Sequence, residues 1–221
     1  MEDSKDALAS TLKTVNSFLT RLFGPGTEQI GLLMSDWAKL WRLKNLTAIL
    51  NAVDRILLEQ NISPDESRKL ALSVGLPLLE RASYQDDPFL QTRWAQLIAN
   101  SLRKGSTTPD FSFSTTFIET LHQFSRLDCE VLEFVVENVV VKRTEDDDIV
   151  VNQLDPQKIR DAFPDSLAHL SLEKLVALGC VRSDPKLPLK PGGLGVKKVL
   201  CPTLMGLNLY VVASGKTPKG L

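Results

Sequence analysis

Two patterns predict a mainly α chain in which an N-terminal helical bundle is followed by a winged-helix-like domain with a small β-hairpin. Through the first half, apolar residues recur every three or four positions, the spacing of helix faces. Near the far end this spacing stops at Leu178-Gly179, and a short β-prone run, Cys180 to Arg182, follows directly. A Pro- and Gly-rich segment from Asp184 to Gly195 then leads to a second β-prone run, Val199-Leu200-Cys201, and helical spacing restarts after Pro202-Thr203 through Val212. Helix, strand, loop, strand, helix is the order of a winged helix, with the loop as its wing.

Taken in order, Leu8, Leu12, Val15, Leu19 and Leu22 give a first amphipathic helix, Leu8 to Phe23, which Gly24-Pro25-Gly26 breaks. Thr27 caps a long second helix running through Ile30, Leu33, Trp37, Leu40, Trp41, Ile49, Leu50, Val53 and Leu57. Trp37 and Trp41, four apart, share a face and are expected to lock it into the bundle. Glu66 to Arg81 reads as a third helix weakened at Gly75 and Pro77, and Asp86-Asp87-Pro88 starts a fourth, Phe89 to Arg103, carrying Leu90, Trp94, Leu97 and Ile98. Polar, non-periodic residues from Lys104 to Ser114 mark a boundary. The expected divisions are a bundle at 1–104, a linker at 105–115, the winged-helix-like domain at 116–213 and a flexible tail at 214–221.

In the second domain Phe117 to Val136 supplies one or two helices, and Lys142 to Asp148 a polar loop. Ile149-Val150-Val151 is a short strand expected to pair with the wing. Asp155 caps the helix Pro156 to Phe163, and Asp165 caps the helix holding Leu167, Leu170, Leu175 and Leu178, which ends at a left-handed Gly179.

Composition narrows the function classes. Among 221 residues, 26 Lys+Arg against 27 Asp+Glu exclude a surface adapted as a whole to nucleic acid. No apolar run is long enough to span a membrane and no cleavable leader follows the charged N-terminus, so a cytoplasmic protein without an integral membrane segment is expected. Cys129, Cys180 and Cys201 have neither disulfide-framework nor metal-knuckle spacing and read as reduced thiols, with Cys180 and Cys201 as cross-strand neighbours. Neither a metal nor a cofactor is implied.

Several segments resemble the abortive-infection alpha family of bacterial proteins. They are Phe23-Gly24-Pro25 with Glu28-Gln29-Ile30-Gly31, Trp41-Arg42-Leu43-Lys44-Asn45, Pro77 to Ser83, Asp86 to Gln91 and Trp94 to Asn100; Leu175 to Val181 and Thr203 to Gly206 are similar to its C-terminal end. The resemblance implies a part in abortive infection against phage, and brings no catalytic or ligand residues with it.

Charge is the sharpest local signal. Glu119 to Glu173 holds 13 acids and 5 bases, whereas Lys174 to Leu221 holds 8 bases and 1 acid. Arg182, Lys186, Lys190, Lys197 and Lys198 crowd the wing and suit phosphate or acidic-partner contacts. The helix before the wing offers Ser166, His169, Glu173 and Lys174, which lack the Arg, Asn and Gln chemistry that reads base edges. Lys190-Pro191-Gly192-Gly193-Leu194-Gly195 lacks the GK[ST] ending of a phosphate loop, and Glu145-Asp146-Asp147-Asp148 lacks calcium-loop spacing. His122 and His169 belong to no catalytic motif. Trp37, Trp41, Arg42, Asn45 and Trp94 are expected to form a structural polar and aromatic cluster, with Arg42, Lys44 and Asn45 meeting Glu80 or Asp87. The expected function is a non-enzymatic phage-defence component, its bundle responding to an infection signal and its wing engaging protein or nucleic acid, with homo-oligomers allowed. A DNA-binding regulator, and an enzyme such as a nuclease, are the alternatives.

Overall fold

The computed structural model describes residues 13, 15–20, 37–63, 69–103, 114–143, 149–151, 153–164, 167–186 and 197–219. The chain divides into two compact units, residues 1–123 and 124–221. Both are mainly helical, and the second carries small antiparallel hairpins. No helix among the described residues is long and apolar enough to cross a membrane.

The first unit contains α1 (Trp37–Glu59), α2 (Leu72–Ser83), α3 (Pro88–Leu102) and α4 (Ser114–His122), with a further helical stretch at 15–20. α1 has no Gly or Pro and is rich in Leu, Ala, Lys and Arg, all strong helix formers. Leu43, Leu46, Leu50, Val53 and Leu57 alternate steps of three and four and are all buried, so one stripe of α1 packs against α3, which buries Leu90, Trp94, Leu97 and Ile98. The chain leaves α1 through Asn61 at φ 55°, a left-handed position that Asn tolerates. α3 starts as its sequence dictates: the Asp87 carboxylate accepts from Phe89 N–H at 2.8 Å and Pro88 fills the first turn.

Three expectations for this unit are corrected. Trp41 is 46 % exposed, because the core stripe runs through residues 43, 46, 50, 53 and 57 and Trp41 falls off it; the side chain of Trp37 lies outside the described residues. The third helix begins at Leu72 instead of Glu66, since Ala71 is extended at ψ 140°, and it runs unbroken through Gly75 and Pro77. Burial of Leu78, Leu79 and Ala82 just beyond the proline offsets the lost hydrogen bond. α4 packs on α2, so the first compact unit continues past the Gly- and Ser-rich segment to Gln123. The expected break at 24–26, its Thr27 cap and the segment 104–113 lie outside the described residues.

The second unit contains α5 (Arg126–Glu137), β1 (Val141–Arg143), β2 (Ile149–Val151), α6 (Pro156–Ala162), α7 (Ala168–Ala177), β3 (Val181–Lys186), β4 (Lys197–Pro202) and α8 (Leu204–Ser214). A capping box starts α5, in which the Asp128 carboxylate accepts from Ser125 N–H at 2.7 Å and Asp128 N–H donates back to the Ser125 hydroxyl at 3.3 Å. α8 is apolar nearly all round and buries Leu207, Leu209, Tyr210, Val212 and Ala213, the pattern of a helix enclosed by its neighbours. α5 packs on α7, α8 and β4.

The hairpins differ from expectation. Ile149–Val151 pairs with Val141–Arg143 and not with the wing, a local closure that costs little chain entropy. Three residues past β2, Leu154 bridges to Leu200 of β4 through bonds of 2.8 and 2.9 Å. In the β3–β4 ladder Cys201 stands opposite Arg182 while Cys180 precedes the strand, so the two thiols are not direct cross-strand neighbours. All three cysteines are buried; burial pushes the Cys180 thiol up to about 12, which leaves it a packing group. After α8, Gly215 takes φ 71°, and the Lys219 carbonyl accepts from Val141 N–H at 2.9 Å. Lys216 meets Glu137 at 2.7 Å and Glu133 at 3.7 Å, so the described part of the C-terminal tail is tied to the unit.

Candidate partner-binding surface

The second unit is organised around the joint between α7, β3 and α8. α7 ends in a Schellman turn: Gly179 takes φ 71°, Cys180 N–H donates to Leu175 O at 2.8 Å and Gly179 N–H to Val176 O at 3.0 Å. On this turn sits the start of α8. Thr203 N–H donates to the Cys180 carbonyl at 3.0 Å, and its hydroxyl donates to the Gly179 carbonyl while accepting from Gly206 N–H at 3.1 Å. Gly206 is required by contact: a Cβ there would lie 2.0 Å from the Cys180 carbonyl oxygen. The stretches Leu175 to Val181 and Thr203 to Gly206 are therefore two halves of one joint.

A second anchor ties α7 to α5. The Asp128 side chain is 2 % exposed, and Lys174 reaches it at 2.6 Å from one turn inside the end of α7. Burial pushes this carboxyl up, but the Lys174 ammonium, the Ser125 N–H and the Ser171 and Ser125 side chains outweigh burial and hold it below its ordinary value of 3.8. Lys174 is therefore engaged inward, not offered to a ligand. Sequence reasoning missed this pair. The Ser125-x-x-Asp128 spacing signals a capping box, but nothing local reveals a lysine 46 positions away.

What α7 turns outward is mixed, with leucines beside a histidine and a glutamate. Leu167 is 63 % and Leu170 51 % exposed, although both share helical spacing with buried Leu175; Ala168, Ser171 and Leu175 occupy the inner face. Val176, His169 and Glu173 are exposed as well. Beside this face a groove of about 680 Å³ opens between α6, α7 and the β3–β4 hairpin, lined by Pro156, Arg160, His169, Glu173, Val176 and Leu200 among others. α6, which forms one wall, starts where expected, with Asp155 accepting from Gln157 N–H at 2.9 Å.

The β3–β4 register sets Lys186 opposite Lys197, Pro185 opposite Lys198 and exposed Arg182 opposite Cys201, gathering the cationic positions along one hairpin. Lys190 lies outside the described residues, as do Ser166, the cap position Asp165, the acidic run 145–148 and the loop segment 190–195.

In the first unit, Arg42 donates from Nε to the Ser83 hydroxyl at 3.0 Å and lies 3.9 Å over the Tyr84 ring. Asn45 is buried and donates to the Ser83 carbonyl at 3.4 Å. The polar contact of Arg42 and Asn45 is thus with Ser83, whose hydroxyl donates to the Glu80 carbonyl at 2.6 Å, and not with the Glu80 or Asp87 carboxylate. Lys44 is exposed, and Trp94 is fully buried with no acceptor for its indole N–H among the described residues. Arg81 grips Glu119 through two bonds of 3.2 and 3.4 Å, tying α2 to α4, and His122 is tilted against Tyr84 at 6.3 Å. The two histidines belong to different compact units. No group of three or more His, Cys, Asp or Glu arranged to hold a metal occurs among the described residues.

Architecture and surface together describe a mainly helical protein in which an exposed helix face carrying Leu167, Leu170 and Val176 borders a groove and a hairpin with several cationic positions. The family model of Abortive infection alpha matches residues 42–192, about two thirds of the chain, and the chain belongs to that family. No curated protein and no solved structure matches it. The matched region begins at Arg42 and takes in α7 and its Schellman turn; Phe23 to Gly31 and Thr203 to Gly206 lie beyond it.

Proposed function

We propose that the chain serves phage defence by abortive infection as a non-enzymatic component in the bacterial cytoplasm, its second unit acting as a winged-helix-like docking module for a protein partner. The observation that carries this reading is the outer face of α7. Leu167, Leu170 and Val176 point outward where a DNA-reading helix carries Arg, Asn or Gln, and Lys174 is held by Asp128. The groove beside α7 gives a partner's side chains a concave seat. The hairpin positions Arg182, Lys186, Lys197 and Lys198 add salt-sensitive contacts to an acidic protein surface or to nucleic acid phosphates.

The test is phage plating on cells carrying the wild-type chain, Leu170→Glu, or Lys197→Glu with Lys198→Glu. Wild type is expected to reduce plaque formation by at least one phage of a panel. Leu170→Glu is expected to abolish that protection without lowering the amount of folded protein, and the double lysine variant to weaken it. Full protection by folded Leu170→Glu would remove the reading.

A DNA-binding regulator is the second reading, favoured by the 8 bases against 1 acid from Lys174 onward. It requires retardation of a duplex that weakens steeply between low and high salt.

A further inference from the structure

We propose that the first unit binds a phosphate group, held by Arg42 and His122 at the Tyr84 ring. The site lies apart from α7 and stands or falls independently of the docking reading. Arg42, on α1, is half-buried, and two contacts fix its guanidinium: Nε donates to the Ser83 hydroxyl at 3.0 Å, and the group lies 3.9 Å over the ring of Tyr84, the residue that ends α2. With Nε engaged by Ser83, the edge that remains is the pair of terminal amino groups, parallel donors spaced for two oxygens of one anion. Neither amino group has an acceptor among the described residues.

Arg81 shows what the bundle does with a guanidinium that has its partner, since Glu119 takes it through bonds of 3.2 and 3.4 Å. That carboxylate is thereby engaged, Asp87 caps α3, and Glu80 reaches Arg42 only through its backbone carbonyl, by way of Ser83. The C-terminal end of α2 sets about half a negative charge beside Arg42, which a full guanidinium charge outweighs. A half-buried cation that stays protonated and lacks a counter-charge favours an anion.

The remaining donors select the kind of anion. Tyr84 is 42 % exposed, and His122, at the end of α4, is tilted against the same ring at 6.3 Å. Neither the phenol nor the imidazole has a hydrogen-bond partner among the described residues. A carboxylate has two oxygens, and the Arg42 fork occupies both. A phosphate has further oxygens for the Tyr84 O–H and a His122 N–H, so this donor set suits the tetrahedral anion better than the planar one.

The experiment is calorimetric titration of the full chain with inorganic phosphate, a 5′-mononucleotide and acetate. Saturable phosphate binding at one site is expected, with acetate at least about tenfold weaker. Tighter binding of the mononucleotide makes the ligand a phosphate ester and equal affinity makes it the free ion; either supports the site. Arg42→Lys keeps the charge and loses the fork, and is expected to lower phosphate affinity about tenfold. His122→Ala, which leaves the Arg42–Ser83 bond in place, is expected to lower it severalfold without a change in the thermal melt, and carries the test where Arg42→Lys disturbs folding. No phosphate binding by the wild-type chain, acetate bound as tightly as phosphate, or a phosphate affinity unchanged in the folded variants overturns the proposal.

Discussion

Two glycines show how residue-level cause decides the cost of a substitution. Gly179 has open space around its missing Cβ but φ 71°, so Gly179→Ala meets only backbone strain and is expected to cost about 1 kcal/mol. Gly206 has ordinary helical backbone but a carbonyl oxygen 2.0 Å from where a Cβ would sit, so Gly206→Ala must push α8 off the Schellman turn. Its expected cost is about 3 kcal/mol, in the range of overpacking. Thr203→Ala, which removes the cap and the hydroxyl bond to the Gly179 carbonyl, is expected to lie between them at about 2 kcal/mol. Urea melts of the three variants give the ranking, and Gly179→Ala proving the most damaging would contradict it. In the first unit the corresponding check is Ser83→Ala, which strips the Arg42 Nε of its acceptor at an expected cost of about 1 kcal/mol.

Asp128 adds a pH dependence. Its folded pKa lies below the ordinary 3.8, so the folded state prefers the carboxylate more strongly than the unfolded chain does. The resulting stability is complete above the ordinary value and is lost as pH falls through the lower, folded value. The second unit is therefore expected to lose stability on acidification below about pH 4, and Asp128→Asn to flatten that part of the pH profile. Equal acid sensitivity of wild type and variant in melts between neutral and acidic pH would rule out this role.

At the scale of elements, local chemistry marks starts and stops well and faces poorly. Asp87-Pro88, Asp155-Pro156 and Gly179 each mark a boundary where the fold has one, because capping and φ preferences act within four residues. The face of α7 was not legible. Leu167, Leu170, Leu175 and Leu178 share helical spacing, yet only Leu175 is fully buried, because the inner face of α7 runs through Ala168, Ser171 and Leu175 and the other leucines fall off it. Trp41 misled for the same reason: an aromatic pair four apart shares a face with itself, not necessarily with the core. The strand Ile149–Val151 was legible but not its mate, since Val139 to Val141 continues the apolar spacing of α5 and hides β1. Pro77 argues for a broken helix only until the burial that follows it is known.

For the molecule as a whole, the sequence conveyed the mainly helical class, the late hairpin and the family, all of which rest on patterns spread along the chain. Composition carried the charge division as well, 13 acids and 5 bases before Lys174 against 8 bases and 1 acid from it onward. The sequence argues against base reading by what the α7 positions lack, and the proposed choice of protein docking draws on coordinates as well. That choice depends on which way Leu167, Leu170 and Lys174 point, a property of contacts between residues far apart in sequence.

The direct measurement of that choice is fluorescence anisotropy of labelled duplexes, of random and of selected sequence, titrated with the full chain at two salt concentrations. Binding that is absent, or that is salt-sensitive, indifferent to sequence, reduced by Lys197→Glu with Lys198→Glu and unchanged by Leu170→Glu, is what a protein-docking α7 beside a basic hairpin predicts. A duplex bound with clear sequence preference that substitution of His169, Leu170 or Glu173 abolishes would place bases on α7 and contradict the account.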